Sequence, residues 1–337
     1  MLFMPGWIPV YASIRVNMTA TSPLPNVRPV KTLTLDELEA PPLSLGKMAW
    51  LKFRRHKMAL VGVGILVLMI LYCTIGSFVF SEKYANYNDT GIALQPPSRV
   101  HPFGTDVIGR DILARTIYGG QISLLIGLTA VMLETSMGIL IGAASGYFGG
   151  LIDALLMRFT EAILIIPQIF LLLVMAKFFA GNIPDINIFG RELSGSVVVI
   201  IAIIGLTSWP YLARIVRAEF LTLKESEFVL AARATGTSTF DIIFRHILPN
   251  SIAPIVVSAT LGVANAITLE AYISFLGLGV RPPTATWGNM LEGAYNYIEN
   301  AYWLWLFPGL LILLIVLSIN FVGDGLRDAL DPRSRMV

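Results

Sequence analysis

Six long runs of apolar residues constrain the possible folds of this chain more than any other feature. Each run is long enough to cross about 30 Å of hydrocarbon as a helix that rises about 1.5 Å per residue. Hydrophobic residues make up 55% of the chain and charged residues 14%, whereas soluble domains have about 25% charged residues. The sequence therefore predicts an all-α integral membrane protein with six transmembrane helices. The predicted spans are residues 58–80, 122–144, 151–179, 197–216, 252–276 and 303–322.

The distribution of basic residues predicts the orientation of these spans. Placing the N-terminus inside puts about 16 of the 24 lysines and arginines on or near the inner side and about seven on or near the outer side, with Arg158 within a span. Because cytoplasmic segments are usually richer in these residues, we expect both termini in the cytoplasm. The predicted organisation is a mobile cytoplasmic tail at 1–46, a basic lead-in and first span at 47–80, an external segment at 81–120, a transmembrane core at 121–324 and a cytoplasmic tail at 325–337.

The third predicted span contains Pro167. A proline inside a helix removes one backbone hydrogen bond and usually causes a kink. We therefore expect this span to be bent.

The sequence lacks the motifs that would make this chain an enzyme. The phosphate-binding pattern GxxxxGK[ST] and the nucleophile pattern Gly-x-Ser-x-Gly do not occur. A net charge of +2, a single cysteine (Cys73) and three widely separated histidines argue against a nucleic-acid partner, an internal disulfide and a zinc site. We therefore expect no catalytic site, no metal site and no bound cofactor in this chain.

The longest polar interruption in the second half of the chain is the segment 226–250. Its first ten residues have helical periodicity, and Gly236 follows them with the conformational freedom that ends a helix. Ser238 and Asp241 have the spacing of a capping box for a second helix, which Pro249 is expected to end. The apolar face of that helix is predicted to be Ile242, Ile243, Phe244 and Ile247. The pattern indicates two short helices that meet at Gly236; an ordinary interfacial hairpin is the alternative.

This segment resembles the EAA loop of permease subunits in ATP-driven (ABC) importers. That loop has two alanines, a glycine after three more residues, and a later Leu-Pro pair. The matching residues are Ala231, Ala232, Gly236, Leu248 and Pro249. Leu230 stands where the pattern has a glutamate, and His246 stands where it has an isoleucine. The run 245–250 is similar to the form of the loop in the dipeptide and oligopeptide branch.

Further motifs along the chain resemble the same branch. A Gly-Thr-Asp and a Gly-Arg-Asp precede the second span, and three more motifs follow in the expected order. These motifs are residues 104–106, 109–111, 146–150, 274–279 and 323–333. From residue 47 to 333 the chain is similar to the C-type permease of dipeptide and oligopeptide transporters. The acidic and basic cluster at 104–111 is interpreted as part of an amphipathic lead-in helix before the second span, and an interfacial helix paired with lipid headgroups is the alternative.

The resemblance implies a type I ABC importer permease fold in a bacterial or archaeal cytoplasmic membrane. It implies that the chain works with a homologous second permease, two cytoplasmic ATPase subunits that use ATP and Mg, an external solute-binding protein and membrane lipid. The 226–250 loop would then couple this chain to the ATPase. The residues expected at this coupling site are Phe228, Ala231, Ala232, Gly236, Thr237, Ser238, Phe240, Phe244, Leu248 and Pro249. Peptides, nickel chelates, glutathione and oligosaccharides remain open as substrates.

Charged and polar residues within the spans are candidates for the translocation pathway. Carboxylates such as Glu134 and Glu270 cost on the order of 2.5 to 3.5 kcal/mol at a helix centre, so they usually face a cavity or a partner. We expect Glu134, Glu270 and Asn265 at the pathway, with helix packing as the alternative for Glu270. Arg158 and Glu161 are interpreted as an i, i+3 ion pair.

A stand-alone ion-coupled secondary transporter or channel is the alternative from another functional class. Such a protein is expected to have internal inverted repeats and ion-binding acids in broken helices. Neither feature is evident in this sequence.

Overall fold

A computed structural model describes residues 45–179, 183–188 and 191–331 of the chain. The predicted N-terminal tail, apart from its last two residues, and the final six residues of the predicted C-terminal tail lie outside this range. Most described residues are helical, and one short antiparallel hairpin lies between the third and fourth predicted spans. The elements are α1 (Leu45–Phe53), α2 (Lys57–Val79), α3 (Glu82–Ala85), α4 (Ile112–Phe148), α5 (Gly150–Ile165), α6 (Gln168–Phe179), β1 (Ile186–Ile188), β2 (Arg191–Leu193), α7 (Gly195–Leu223), α8 (Glu227–Ala234), α9 (Thr239–Asp241), a π-helical turn (Ile242–Ile247), α10 (Leu248–Asn250), α11 (Ile252–Phe275) and α12 (Trp303–Leu330).

Five of these helices are individually long and apolar enough to cross a membrane, and a sixth span results if α5 and α6 count as one. The axes of α5 and α6 differ by 85°. The break lies at Ile166, which is extended because the proline ring disfavours helical backbone in the residue before it. The predicted bend at Pro167 is therefore confirmed, and it is sharper than an ordinary kink.

The second span starts ten residues earlier than predicted. The helix α4 begins at Ile112, where Asp111 is the N-cap and its Oδ1 accepts a hydrogen bond from the N–H of Ala114 at 2.8 Å. The prediction that the 104–111 cluster lies on a lead-in helix is therefore wrong. These residues form a turn that ends at the cap, and the helix follows it.

The last span is also longer than its apolar run. The helix α12 continues to Leu330, so residues 325–330 of the predicted tail are its final turns. Gly325 and Ala329 lie in a small core with Phe53 and Ala59. Because these partners are nearly 270 residues away in sequence, the apolar run alone did not predict the extension.

The most extensive helix contact is between α4 and α7. Glycines spaced four residues apart on α4 face large side chains of α7: Gly138 faces Leu212, and Gly146 faces Phe220. An added Cβ on Gly142 would lie 2.5 Å from the carbonyl oxygen of Ala213. Small residues let two backbones approach closely, which is how helices associate in a membrane.

Candidate functional site

The 226–250 loop joins α7 to α11 and reverses direction at Gly236. Gly236 has a φ of 78°, in the left-handed region that glycine adopts at little cost. Its N–H donates to the carbonyl of Arg233 at 3.0 Å, and the N–H of Thr237 donates to the carbonyl of Ala232 at 3.1 Å. This pair of bonds is a Schellman motif, which satisfies the last carbonyls of α8. The predicted glycine turn is confirmed.

The second half of the loop begins with a capped turn. The Oγ of Ser238 accepts the N–H of Asp241 at 3.2 Å and donates to its Oδ2 at 2.7 Å. The Arg245 guanidinium lies 3.1 Å from the other carboxylate oxygen. The predicted capping interaction is thus present. Pro249, however, does not end the segment, because it lies within α10, which follows the π-helical turn directly.

A buried inner face holds the loop on the helix bundle. Val229, Ile242 and Ile247 are at most 2% exposed and pack in one cluster with Val216 and Phe220 of α7. Ile242 and Ile247 are five residues apart, and the turn between them is π-helical. The i→i+5 bonding of a π-turn brings this spacing onto one face.

The π-turn changes which side chains point outward. The sequence pattern assumed a regular helix and placed Phe244 on one apolar face with Ile242, Ile243 and Ile247, but Phe244 is 44% exposed, whereas Ile242 and Ile247 are buried. A π-turn leaves no distinctive local pattern in a single sequence, so the prediction that these four residues share one face was wrong.

The outer face of the loop is aromatic and exposed. Phe228 and Phe240 are 41% and 68% exposed, and the rings of Phe240 and Phe244 lie 4.4 Å apart between centroids. No residue within the described ranges covers this face. Clustered exposed apolar side chains of this kind mark interaction sites.

The expected coupling residues divide into two groups by exposure. Ala232 is buried, and Thr237 and Leu248 are half-buried, so these three belong to the loop's support. The exposed members are Phe228, Ala231, Gly236, Ser238, Phe240, Phe244 and Pro249.

A cluster of polar side chains, the clamp, fixes the base of the loop through Asp153, Arg217, Ser145 and Lys224. The sequence pattern did not predict it. Asp153 of α5 accepts two hydrogen bonds from Arg217 of α7, Nε to Oδ1 at 2.6 Å and Nη2 to Oδ2 at 2.7 Å. The buried hydroxyl of Ser145 also donates to Oδ1. Lys224 donates to the carbonyl of Gly146 at 3.1 Å. The clamp therefore ties the α4–α5 turn to the end of α7, directly before the loop.

One further contact joins that turn to the loop itself. The guanidinium carbon of Arg233 lies 5.7 Å from the centroid of the Tyr147 ring, within the range of a cation–π interaction. The available sequence signals were Asp153 in the first turn after Gly149 and a cationic Arg217 near a predicted span end. Neither residue's local sequence indicates that the other is its ion-pair partner.

Glu270 is fully buried in a hydrogen-bonded network. Its Oε1 accepts from Ser274 at 2.7 Å, and its Oε2 accepts from Ser123 of α4 at 3.2 Å. The hydroxyl of Ser123 in turn accepts the backbone N–H of Trp287 at 3.2 Å. The carboxylate therefore links α4 and α11 to the segment between α11 and α12.

The other two expected pathway residues lie elsewhere on the bundle. Glu134 is half-buried, and its Oε2 lies 3.6 Å from the position of a Cβ on Gly262 of α11. Asn265 is exposed. Gly262 and Glu270 are about 12 Å apart along the helix. The structure thus does not bring the three expected pathway residues into one cluster.

Arg158 and Glu161 form the expected i, i+3 pair, with Nη1 and Oε2 3.3 Å apart. Their side chains are 85% and 57% exposed, so the pair contributes little to stability.

At the other end of α4, the 104–111 turn satisfies its charged groups internally. The carboxylate of Asp106 accepts the N–H groups of Ile108 and Arg110 at 3.0 and 2.9 Å, and Nε of Arg110 at 2.6 Å. The Oδ2 of Asp111 lies 2.8 Å from Nδ1 of His101. The turn is therefore held by its own hydrogen bonds rather than by an interfacial helix.

Thr105 seats this turn against the rest of the structure. Thr105 is fully buried, and its carbonyl accepts the indole N–H of Trp303 at 3.0 Å.

Within the described ranges, no group of three or more histidines, cysteines, aspartates or glutamates is arranged to hold a metal ion.

Two family descriptions match this chain. The binding-protein-dependent transport system inner membrane component matches residues 138–336, and the N-terminal transmembrane domain of oligopeptide transport permease C matches residues 44–97. The first match includes the 226–250 loop, the clamp and Glu270.

The chain is similar to named proteins and, more distantly, to a solved structure. A Brucella suis biovar 1 protein provisionally named a peptide permease is 44% identical over 299 residues, which are 88% of this chain and 94% of that protein. The dipeptide transport system permease protein DppC of Alkalihalophilus pseudofirmus is 39% identical over 312 residues, with coverage of 90% and 98%. A chain of the inward-facing MetNI methionine ABC transporter has 19% identity and a TM-score of 0.49, covering 64% of this chain and 95% of its own.

The match over residues 138–336 spans more than half of the chain, and the relatives are matched over nearly their full lengths. The chain therefore belongs to the family of binding-protein-dependent transport system inner membrane components.

Proposed function

We propose that this chain is the permease subunit of an ATP-driven importer for dipeptides or oligopeptides and that the 226–250 loop couples it to a separate ATPase. The observation that supports this most is the construction of the loop. Its inner face is buried and its turn is fixed by a Schellman motif, while its outer face exposes three phenylalanines. The names of the relatives favour a peptide as the solute.

The packing of the loop suggests how movement of the ATPase would reach the membrane. The inner-face cluster includes Ala143 of α4, Phe220 of α7 and Ile255 of α11. A displacement of the loop would therefore act on the ends of three long helices at once. Because close-packed interfaces switch between discrete arrangements rather than deform continuously, the bundle would respond as a unit.

The proposed partners are a homologous second permease, two cytoplasmic ATPase subunits that bind ATP and Mg, and an external solute-binding protein. Within this chain, Glu134 and Asn265 would line the translocation pathway, because both are accessible from the bundle surface. Glu270 would border the pathway and hold its wall through Ser123 and Ser274.

The proposed orientation places the loop in the cytoplasm and the 104–111 turn outside. Its support is the excess of basic residues on one side. In a Cys73→Ser background, Ser98→Cys and Asn300→Cys should react with an impermeant maleimide added outside, since both positions are exposed. Thr237→Cys should react only after the membrane is opened. Labelling of Thr237→Cys from outside would invert the topology.

The coupling role is tested by crosslinking within the whole transporter. In the same background, Ser238→Cys on the loop should crosslink to an ATPase subunit, whereas Ser98→Cys should not. Peptide uptake into vesicles should require ATP.

Uptake driven by an ion gradient in the absence of ATPase subunits would contradict the proposal. It would restore the stand-alone transporter, which none of the comparisons supports.

A further inference from the structure

A small cavity with a mixed polar and apolar lining lies beside the start of α4, at the opposite end of that helix from the 226–250 loop. Its volume is about 180 Å³. One wall is the 106–115 stretch, another is the 289–297 stretch, and Leu304 of α12 closes the side between them.

The most unusual group in the cavity wall is the guanidinium of Arg115. The residue is 3% exposed, although arginine is almost never buried without a partner. Among the described residues, its guanidinium makes one side-chain hydrogen bond, from Nη1 to Oδ1 of Asn86 at 3.1 Å. A guanidinium has five N–H groups, so most of them are left for another acceptor.

Arg115 lines the cavity, and its remaining N–H groups are not among the fully buried groups that lack a partner. Within the described ranges, Thr135 Oγ1 is the one fully buried side-chain polar atom that lacks a hydrogen-bond partner. The unbonded nitrogens of Arg115 are therefore in contact with the space that they line. A buried cation with available donors at a cavity wall is suited to an anionic ligand.

The neighbouring charges leave Arg115 as the cationic centre of the cavity. Asp106 is satisfied by Arg110 and two backbone N–H groups, so this pair balances itself. Glu292 borders the cavity, but it is exposed, and its Oε1 lies 3.0 Å from the Cβ position of Gly277. The rest of the polar lining is neutral and consists of Asn289, Asn296 and Tyr297.

We propose that this cavity receives one aspartate or glutamate side chain of the external solute-binding protein, with its carboxylate on Arg115. This inference rests on the proposed function, because it assumes that partner. A guanidinium binds a carboxylate through two parallel hydrogen bonds, and the neutral amides can accept or donate around it. The volume suits one side chain rather than a peptide backbone, and a single cation suits a monovalent carboxylate.

The test measures docking of the fluorescently labelled cognate binding protein to the complete transporter in nanodiscs. Arg115→Gln should weaken docking at least tenfold, with or without peptide on the binding protein. Arg99→Gln is the matched control, since Arg99 is an exposed arginine on the same external segment. It should change docking less than twofold.

A second pair of variants avoids any effect of Arg115 on folding. Asn296→Asp adds a negative charge at the cavity and should weaken docking at least threefold, whereas Asn300→Asp, outside the cavity, should change it less than twofold. If Arg115→Gln does not fold, this pair decides the proposal.

Unchanged docking in both Arg115→Gln and Asn296→Asp would overturn the inference. Unchanged docking with slower peptide uptake would overturn it too and assign the cavity to the solute's own carboxylate. If the wild-type transporter bound no binding protein, the proposed function would fail together with this inference. If the wild-type transporter binds the binding protein and the variants bind it equally well, the cavity assignment is refuted but the proposed function is not.

Discussion

Gly109 and Gly236 have nearly the same backbone conformation but opposite surroundings. Their φ values are 81° and 78°. An added Cβ on Gly109 would lie 1.7 Å from the carbonyl oxygen of Asp89, whereas nothing lies within 4 Å of one on Gly236. Gly109 is therefore required by both conformation and close packing, and Gly236 by conformation alone.

The side chains near the two glycines repeat this contrast. Around Gly109, Asp106 and Asp111 bond to neighbouring groups of the same chain. Around Gly236, the apolar side chains of Phe240 and Phe244 are exposed, and their rings contact each other. The polar groups of the first region are satisfied by hydrogen bonds within this chain. The second region has a buried inner side and an exposed outer side that is available to a partner. Substitutions should therefore affect stability in the first region and coupling in the second.

The largest effect on stability is expected for Gly109→Ala. The clash with Asp89 and the left-handed backbone together should lower the free energy of unfolding by about 2 to 5 kcal/mol. Thermal unfolding of the purified chain in detergent measures this change. Gly236→Ala is the matched control and should cost about 1 to 2 kcal/mol, from backbone strain alone. Equal losses for the two variants would remove the basis of the comparison.

The next effect concerns the clamp at the base of the loop. Asp153→Asn should cost about 1 to 2 kcal/mol, since it weakens a charged, two-bond contact that is partly open to solvent. A double-mutant cycle with Arg217→Gln should give a coupling energy of similar size. Glu161→Gln, in the exposed pair with Arg158, should cost less than about 0.5 kcal/mol. Additive effects at Asp153 and Arg217 would argue that the clamp does not act as a unit.

A third substitution separates coupling from stability at Gly236 itself. Gly236→Val should cost about 1 to 2 kcal/mol and should abolish substrate-stimulated ATP hydrolysis and uptake, because the left-handed turn that orients α9 is disfavoured. Gly236→Asn should retain most activity, since asparagine tolerates that conformation. ATPase and uptake assays on the complete transporter check both variants. Full activity of Gly236→Val would show that the turn is not needed for coupling.

The smallest effect on stability is expected on the outer face of the loop. Phe240→Ala should change the free energy of unfolding by less than about 0.5 kcal/mol, because the side chain is 68% exposed. It should nevertheless reduce ATP-driven uptake several-fold. Tyr87→Ala, at a position that is 64% exposed outside the loop, should change neither quantity. Normal uptake by Phe240→Ala would contradict a partner contact at this face.

Features that depend on neighbouring residues were predicted from the sequence. The bend at Pro167, the turn at Gly236 and the Ser238–Asp241 cap follow from local backbone chemistry, and each is present. The apolar runs were found for a similar reason, since the width of the bilayer sets the length of a span whatever lies beside it.

Features that depend on distant partners were not predicted. The clamp joins Asp153 to Arg217, 64 residues apart, and the extension of α12 depends on contacts with Phe53 and Ala59. The separation of Phe244 from the buried Ile242 and Ile247 depends on a π-turn that packs those two isoleucines against α7. Each of these outcomes needs the position of a second element, which local periodicity does not contain.

The sequence by itself determined that this is a membrane-spanning helical protein, where its chain turns and which loop resembles that of an importer permease. Apolar length, proline and glycine conformation and short motifs act over a few residues, so one sequence is enough to recognise them. Only the tertiary structure decided which side of the loop is buried, that Glu270 is enclosed by Ser123 and Ser274, and that Arg115 lines a cavity. The physical reason is that burial and hydrogen bonding of a side chain depend on the groups brought beside it by packing, and those groups lie far away in the sequence.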